Sequence, residues 1–588
     1  MKVVVKGQGD VTLTQRNYVA TGGQASVYVK DGVAYKIYTN PSDVIPDAKF
    51  QALATIADSA VIKPEHLLLD EHKRAIGYTM RAISDNLSLC QLFTRAFRER
   101  NGVTNDHVIG LAANLREHVG NVHAASILVV DLNELNILVD RKYADTFLID
   151  VDSYQTKGFP ATVIMPSVRD YSVHAADFST LSDWYSYGIL TFQLFIGSHP
   201  YKGTHAPSAS IPKDQRMVHR MRHNISAFQA DVSLPQCCYG FDVIPANFRD
   251  WMRAVLQEGK RLPPPDPRDS GAVVIAAKIS KTLVSTNDIV ITMLGNLEDW
   301  TLVSYAESGG VPLMWLVKPT EARAVTGQSG PGTVNIPGRI LHSGKPIPGT
   351  TLVGHTPKLN RPVVFNLQGE HLSFLDLTAR KQQVLPFRVQ EIAKSGDRFY
   401  VKNGPRVLEL EFSAESATEV IVTASFPVAD VPEQASHLYE GCCVANMLGS
   451  IFVSLFPRSK AGYQVRMAEL DDYKICEAKF DGGVLMVVGA KNGQYDRLVF
   501  RFDEDFQTYD VRVVADVDLS ALNFVTLDSG ICVCVTEEEK LEAFPARKGA
   551  RGCKVVEDSA IGNNMRLVKA GGKVGFEREG KLYSMTLK

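Results

Sequence analysis

The sequence predicts two regions of different class, an α+β region over residues 1–267 and an all-β region over residues 268–588. Three observations carry this expectation. Up to the proline-rich stretch Leu262 to Pro267, short runs alternating at period two are followed by longer segments with apolar residues at helical spacing. From about Ser270 the helical spacing gives way to short runs dense in Val, Ile, Phe and Tyr, separated by Gly, Asp, Asn and Ser. The 588 residues are 45% hydrophobic and 22% charged, which is enough apolar material for several cores, and length alone sets a soft prior of about three or four domains.

Taken in order, Met1 to Leu13 alternates like a strand. Gly7 and Gly9 interrupt it before it could form a signal-peptide core. Tyr18 to Tyr38 holds a turn at Gly22 and Gly23, then two alternating strands joined by Asp31-Gly32, a pair suited to a two-residue hairpin turn. The glycines allow backbone N–H groups to approach phosphate oxygens, and Lys36 lies on the second strand. Pro46 to Ala57 reads as a helix, Gly77 to Ile83 as a strand ending in a loop, and Val108 to Ala125 as a helix with Leu111, Leu115, His118 or Val119, and Val122 on one face. His123 is expected to cap or pack there.

The chemistry concentrates between Val129 and Gln155. Asp131 opens a loop, and Asn136 follows directly before the apolar run Ile137, Leu138, Val139. A second apolar run from Thr146 to Ile149 ends in Asp150. If the two runs pair as a hairpin turning near Arg141 to Ala144, Asp131, Asn136 and Asp150 gather at one end of it. Phosphoryl transfer needs such a set: one Asp to orient a hydroxyl and take its proton, with an Asn and a second Asp to hold Mg²⁺ against phosphates. A lone Asp with a lone Asn is usually a turn pair; three such groups in this spacing point to a site.

These segments together resemble protein kinases. Asp131-Leu132-Asn133-Glu134-Leu135-Asn136 is similar to the family's catalytic loop, and Asp150-Val151-Asp152 stands in the place of its D-F-G. Ser182 to Leu190, with Gly197-Ser198-His199-Pro200-Tyr201 beyond, resembles the family's large-lobe helix. The resemblance implies a bilobal α+β protein-kinase-like fold, with a β-rich small lobe over 1–83 and a mostly helical large lobe over 84–267. It also implies a serine/threonine-type protein kinase that uses ATP and Mg²⁺. Carried over by position, Asp131, Lys36 and Asn133 form the catalytic set, Asn133 standing where the family has a lysine. Asn136 and Asp150 are the metal ligands. Gly22, Gly23, Val27 and Lys36 surround the phosphates, while Met80 backs the adenine and backbone groups of Arg81 and Ile83 bond its edge. Asp47 is the nearest candidate for the helical carboxylate that pairs with Lys36, and Asp183 is expected to brace the catalytic loop's backbone. Thr156 to Ala176 would be the activation segment, with Pro166 and Ser167 as the nearest remnant of its Ala-Pro-Glu ending.

The departures from the pattern also matter. Val129 and Val130 replace His-Arg, which removes the arginine that clasps a phosphorylated activation loop. Ala20 and Ala25 replace the outer glycines, and Asp152 replaces a glycine, stiffening the segment or adding an acid near the metal. Asn133, the missing helical Glu and the altered glycines favour a rival reading, a pseudokinase that binds nucleotide as a scaffold. A small-molecule phosphotransferase of the aminoglycoside-kinase type is a further alternative; the short path from Ile83 to Asp131 and the Asp183 helix argue against it. The Val-Val-Asp loop and the Asp-Val-Asp-Ser-Tyr-Gln segment resemble stand-alone bacterial or phage kinases more than eukaryotic signalling kinases.

In the second region the runs at Arg398, Val407, Val484, Arg497, Gly530, Lys573 and Lys581 recur at a spacing that fits a β-propeller of six or seven blades. Stacked sandwiches or a mixed β domain are the alternatives. A propeller would recruit a protein substrate or partner. A net charge of -2 gives no general reason to expect nucleic acid or a membrane surface, and no apolar run reaches the length of a membrane span. The nine cysteines lack zinc-site spacing and read as buried free thiols. The expected compartment is the cytoplasm.

Overall fold

Strand-forming residues dominate the first eighty positions, and they assemble into one antiparallel sheet. The computed structural model describes residues 1–588 apart from 23, 162–163, 175–176, 270–282, 284, 286–287, 331–332, 415–419, 458–461, 518–521, 559, 563 and 588. In chain order the first elements are β1 (Lys2–Val5), β2 (Gly9–Thr12), β3 (Tyr18–Thr21), β4 (Ala25–Lys30), β5 (Val33–Tyr38), helix α1 (Asp47–Ala54), β6 (His66–Leu69) and β7 (Ala75–Arg81). The seven strands lie in the order β2-β1-β6-β7-β5-β4-β3. Val3, Val5, Leu13, Tyr35 and Leu68 fill a small core on one face. The opposite face of β5 and β7 carries Lys36 and Tyr78 toward the rest of the chain.

Helices follow. A short strand β8 (Asn86–Ser88) leads to α2 (Arg95–Asn101) and α3 (Asn105–Ala124), then the hairpin β9 (Ile137–Asp140) and β10 (Thr146–Leu148), and then α4 (Thr180–Ile196), α5 (Lys213–Arg222) and α6 (Ala246–Leu256). Helix α3 begins at the cap Thr104, whose hydroxyl accepts from the His107 N–H, satisfying one of the orphan donors at a helix start. It buries Leu111, Leu115, Val119 and Val122, as the helical spacing predicts. Helix α4 is buried from Ser182 to Ile196 and is the axis on which α3 and α6 pack. It ends at Gly197, whose φ of 89° provides a left-handed cap at no steric cost.

The second region is all-β, as expected. Its first strand, Ile289–Asn296, does not pair with the next in sequence but lies antiparallel to the last, Lys581–Leu587. It thereby completes a four-stranded sheet with Arg566–Ala570 and Lys573–Arg578. Four strands over 301–344 form another sheet, joined to this one by a single parallel pairing of Gly295 with Ile336. Five further four-stranded antiparallel sheets run over 350–384, 391–430, 436–466, 474–514 and 524–556.

Successive sheets pack face to face, and each junction has its own apolar cluster. Val303, Trp315 and Ala324 meet Val353 and Val364 at one, and Phe365 and Phe374 meet Phe399 and Leu410 at the next. Leu302 and Met314 meet Val568 and Leu582 at the junction of the last sheet with the first. The first strand of each sheet lies beside the first strand of its neighbour, and Arg566–Ala570 returns against Thr301–Ser308, so the series closes on itself. Central strands such as Val484–Lys491 are buried almost throughout because both faces are covered. The cysteines are free thiols, seven of them buried, with Cys237 half-buried and Cys553 exposed. Among the described residues no helix is long and apolar enough to cross a membrane.

Candidate functional site

The site is built around Lys36. The Asp31-Gly32 turn folds β5 back on β4 with φ of 49° and 78° at its two residues, as a primed hairpin turn requires. Val27 lies opposite Lys36 on one side and Tyr78 on the other. Lys36 is 9% exposed, too buried to carry its charge without partners. Its Nζ lies 2.5 Å from Asp150 Oδ1 and 2.7 and 2.8 Å from the two oxygens of Asp152. Tyr38 also donates its hydroxyl to Asp152. Burial pulls the Lys36 ammonium toward losing its proton, but the Asp152 and Asp150 carboxylates outweigh it and hold its pKa above the ordinary value. Burial would likewise raise Asp152; Lys36, Tyr38 and Tyr78 outweigh that and keep its carboxyl below the usual range.

The two acids reach Lys36 from the turn that follows β10. Strands β9 and β10 pair antiparallel, Ile137 with Leu148 and Val139 with Thr146, and the Ile149 N–H extends the pairing to the Asn136 carbonyl at 3.0 Å. Asn136 therefore lies across the hairpin from Ile149, next to Asp150. Asp150 takes a left-handed φ of 62°, and its side chain remains 45% exposed while that of Asp152 is 7% exposed. Asp131 completes the group: Asn136 Nδ2 donates to its Oδ2 at 3.4 Å, and the Met165 N–H donates to its Oδ1 at 2.8 Å. Burial raises the Asp131 carboxyl above its ordinary value against the Met165 bond, a shift toward the range in which a carboxylate takes up a proton.

The loop is held from below. Asp183, in the first turn of α4, is fully buried and accepts from the Val129 N–H at 2.8 Å, the Val130 N–H at 2.9 Å and His123 Nε2 at 2.9 Å. These bonds fix Val130 at φ 62°, a left-handed conformation that a β-branched residue adopts only under constraint. They aim Asp131 toward the hairpin end.

A cavity of about 2840 Å³ opens between the first sheet and the hairpin and continues into the gap facing the all-β region. Its inner end is lined by Val27, Ala34, Lys36, Met80, Leu138, Ile149 and Asp150. The all-β region reaches the loop itself: the Tyr495 hydroxyl donates to Glu134 Oε1 at 2.6 Å and Lys474 Nζ to the Leu135 carbonyl at 2.9 Å. The hairpin tip at Asn492 and Gly493 sits on Met165 and Pro166 so closely that a Cβ on Gly493 would stand 2.8 Å from Met165 Cγ. Cys476 and Ala490 extend the helical core across the junction.

The structure thus brings Lys36, Asp131, Asn136 and Asp150 to one end of the cleft, with Val27 and Met80 on its wall. Gly22 is at the exposed tip between β3 and β4, but its N–H donates to the Ala25 carbonyl at 2.8 Å, so this donor is used within the turn. Gly23 lies outside the described residues. Arg81 is exposed and donates Nη2 to the Ser59 carbonyl at 2.6 Å, and the Ile83 carbonyl accepts from Asn86 Nδ2 at 2.6 Å. Asn133 is turned away: it is 2% exposed, accepts from the Leu135 N–H at 2.9 Å and donates to the Asp131 carbonyl at 3.3 Å, shaping the loop instead of facing the cleft. Asp47 is a correction. It is exposed at the start of α1, and the buried charged residue of that helix is Lys49.

Three features escaped sequence reasoning. Asp152 was visible as an acid two residues beyond Asp150, but its pairing with Lys36 was not. Asp170 is 1% exposed and holds Arg261 through two bonds of 2.6 and 2.7 Å, bracing the segment after the hairpin. Neither this pair nor Glu134 with Tyr495 has a local signal, since the partners are far apart in the chain. Among the described residues no cluster of three or more His, Cys, Asp or Glu side chains is arranged to hold a metal; a Mg²⁺ completed by phosphates and water needs only one or two protein ligands. A scan against protein-family models finds no match, and neither does a search of curated proteins.

Proposed function

We propose that the chain is an ATP- and Mg²⁺-dependent serine/threonine-type protein kinase, with a bilobal kinase-like first part and a seven-bladed β-propeller that recruits a protein substrate or partner. The observation that carries this reading is Lys36 held at 2.5 Å from Asp150 across a cleft whose hairpin end also presents Asp131 and Asn136. The blade count is supported by seven four-stranded sheets and by the pairing of Ile289–Asn296 with Lys581–Leu587, which ties the start of the series to its end. Free thiols, most of them buried, fit a reducing compartment, in keeping with a cytoplasmic bacterial or phage enzyme.

The residues present fit the cofactors. ATP supplies the transferable phosphoryl group, and Mg²⁺ supplies the positive charge that bridges it to the protein. Asp150, half-exposed toward the cleft, and Asn136 beside it would hold the metal. Lys36 would meet the phosphates, while Ala34, Met80, Leu138 and Ile149 form apolar walls suited to a flat base. Asp131 would orient the acceptor hydroxyl and take up its proton, and Asp183 keeps it aimed.

One observation favours the scaffold alternative. Asp131 Oδ1 is already bonded by the Met165 N–H, and Met165 and Pro166 are covered by Gly493, so the surface where an acceptor peptide would lie is partly occupied. Binding of Mg-ATP measured with wild type and Lys36→Ala, followed by transfer from labelled ATP, separates the readings. Binding that Lys36→Ala abolishes, with transfer, supports the kinase; the same binding without transfer supports the scaffold; no binding removes both.

A further inference from the structure

We infer that Asp152 is the positioning residue for Lys36, taking over from the turn after β10 the part that a carboxylate on α1 would otherwise play, and leaving Asp150 able to turn to a metal. This deepens the kinase reading and rests on it. The two acids on Lys36 are not equivalent. Asp152 is buried, offers both oxygens at 2.7 and 2.8 Å and is itself fixed by the Tyr38 hydroxyl. Asp150 makes one contact, stands at a corner of the backbone and keeps 45% of its side chain exposed. A buried ammonium stripped of every counter-charge is strongly unfavourable. Asp150 can therefore leave Lys36 for a cation only if a second acid stays, and Asp152 is placed to stay.

Helix α1 supports the assignment from the other side. Its exposed Asp47 does not reach the lysine, and the charged residue it buries is Lys49, 7% exposed. The helix packs on the turn Val151–Ser153 that carries Asp152. Lys49 is thus buried on the helix that packs against the Asp152 turn, and the Asp152 charge opposes the lowering of its pKa by burial. The groups facing Asp152 are Lys36 and Tyr38 from β5, Tyr78 from β7, Lys49 from α1 and its neighbour Asp150. The polarity of a helix acid and a strand base is thus exchanged: α1 carries the base, and the turn carries the acid.

The test compares Asp152→Asn, Asp152→Gly, Lys49→Glu and the double variant Asp152→Gly/Lys49→Glu in the full chain. The readouts are kcat and KM for Mg-ATP, and the dissociation constant for Mg-ATP by calorimetry. Asp152→Asn is expected to lower kcat/KM on the order of 10²-fold, the scale of a misplaced reacting group, and to weaken Mg-ATP binding on the order of tenfold. The double variant, which moves the acid to the helix, is expected to recover at least about tenfold of what Asp152→Gly loses, an outcome that a merely structural role would not produce. Melting temperatures of all variants separate loss of positioning from loss of fold, and if Asp152→Asn does not fold the double variant decides. The inference is overturned if Asp152→Asn leaves both readouts within about twofold of wild type, or if the double variant is no better than Asp152→Gly. Failure of the kinase reading appears instead in wild type, as absent Mg-ATP binding or as binding indifferent to Lys36→Ala, and it removes the inference as well.

Discussion

Removing the Asp183 carboxylate should release the 129–136 loop from its support. In the structure this fully buried group accepts two backbone N–H bonds, from Val129 at 2.8 Å and Val130 at 2.9 Å, and a third from His123. A hydrogen bond to a charged group contributes about 1.5–3 kcal/mol. The two backbone bonds together therefore stabilise the loop by roughly 3–6 kcal/mol, and Val130, at φ 62°, adds strain that relaxes once they are gone. Amide hydrogen exchange at Val129 and Val130 reads this directly, because exchange follows the free energy of local opening. At about 1.4 kcal/mol per tenfold, Asp183→Ala should speed exchange on the order of 10² to 10⁴-fold at these two amides. Asp183→Asn should fall between wild type and Asp183→Ala, since its carbonyl oxygen keeps one acceptor while its NH₂ group faces a donor. Exchange in Asp183→Ala within about threefold of wild type would show that the carboxylate does not hold the loop.

Three other expectations follow from the same contacts. Burial raises the Glu134 carboxyl above its ordinary value of 4.5, with the Tyr495 bond opposing it; the folded state therefore holds the proton longer than the unfolded one. The stability tied to that proton is complete below pH 4.5 and is lost as pH rises through the raised folded value, so Glu134→Gln should melt above wild type at neutral pH, with the gap closing in acid; an unchanged gap across pH contradicts the burial argument. Arg261→Ala strands the buried Asp170 and should cost about 3–5 kcal/mol in chemical denaturation, whereas a loss under about 1 kcal/mol would place the pair among weak surface bridges. Gly493→Ala combines a φ of 76° with a Cβ 2.8 Å from Met165 Cγ and should destabilise by roughly 1–3 kcal/mol, read as faster exchange in the 164–168 peptide; an unaffected peptide would mean the tip does not press on that segment.

Much of the scaffold was legible because it is written in local patterns. The period-two run from Ala25 to Tyr38 became β4 and β5, the helical spacing of Leu111, Leu115, Val119 and Val122 became α3, and the runs at Arg398, Val484, Arg497 and Lys581 fell on strands. The hairpin that gathers Asp131, Asn136 and Asp150 was legible for the same reason, since its two apolar runs and the turn between them lie within a short stretch. What was not legible depends on distant residues meeting. Lys36 reaches Asp152 across 116 positions, and Glu134 reaches Tyr495 across 361. Asp47 misled because the start of a helix accommodates an exposed acid on its own account, so its presence there says nothing about Lys36. The closing strand Ile289–Asn296 was equally hidden, because a strand's pairing partner is chosen by the whole sheet and not by its own sequence.

The most direct test of the account is transfer of labelled phosphate from ATP in the presence of Mg²⁺, comparing wild type with Asp131→Ala and Asp150→Ala on the protein itself and on a generic acceptor. Loss of a general base costs about 10² to 10⁴-fold in rate, so label on serine or threonine hydroxyls in wild type that nearly vanishes in Asp131→Ala and in Asp150→Ala is the result the account predicts. A wild type as silent as both variants, or an Asp131→Ala as fast as wild type, contradicts it.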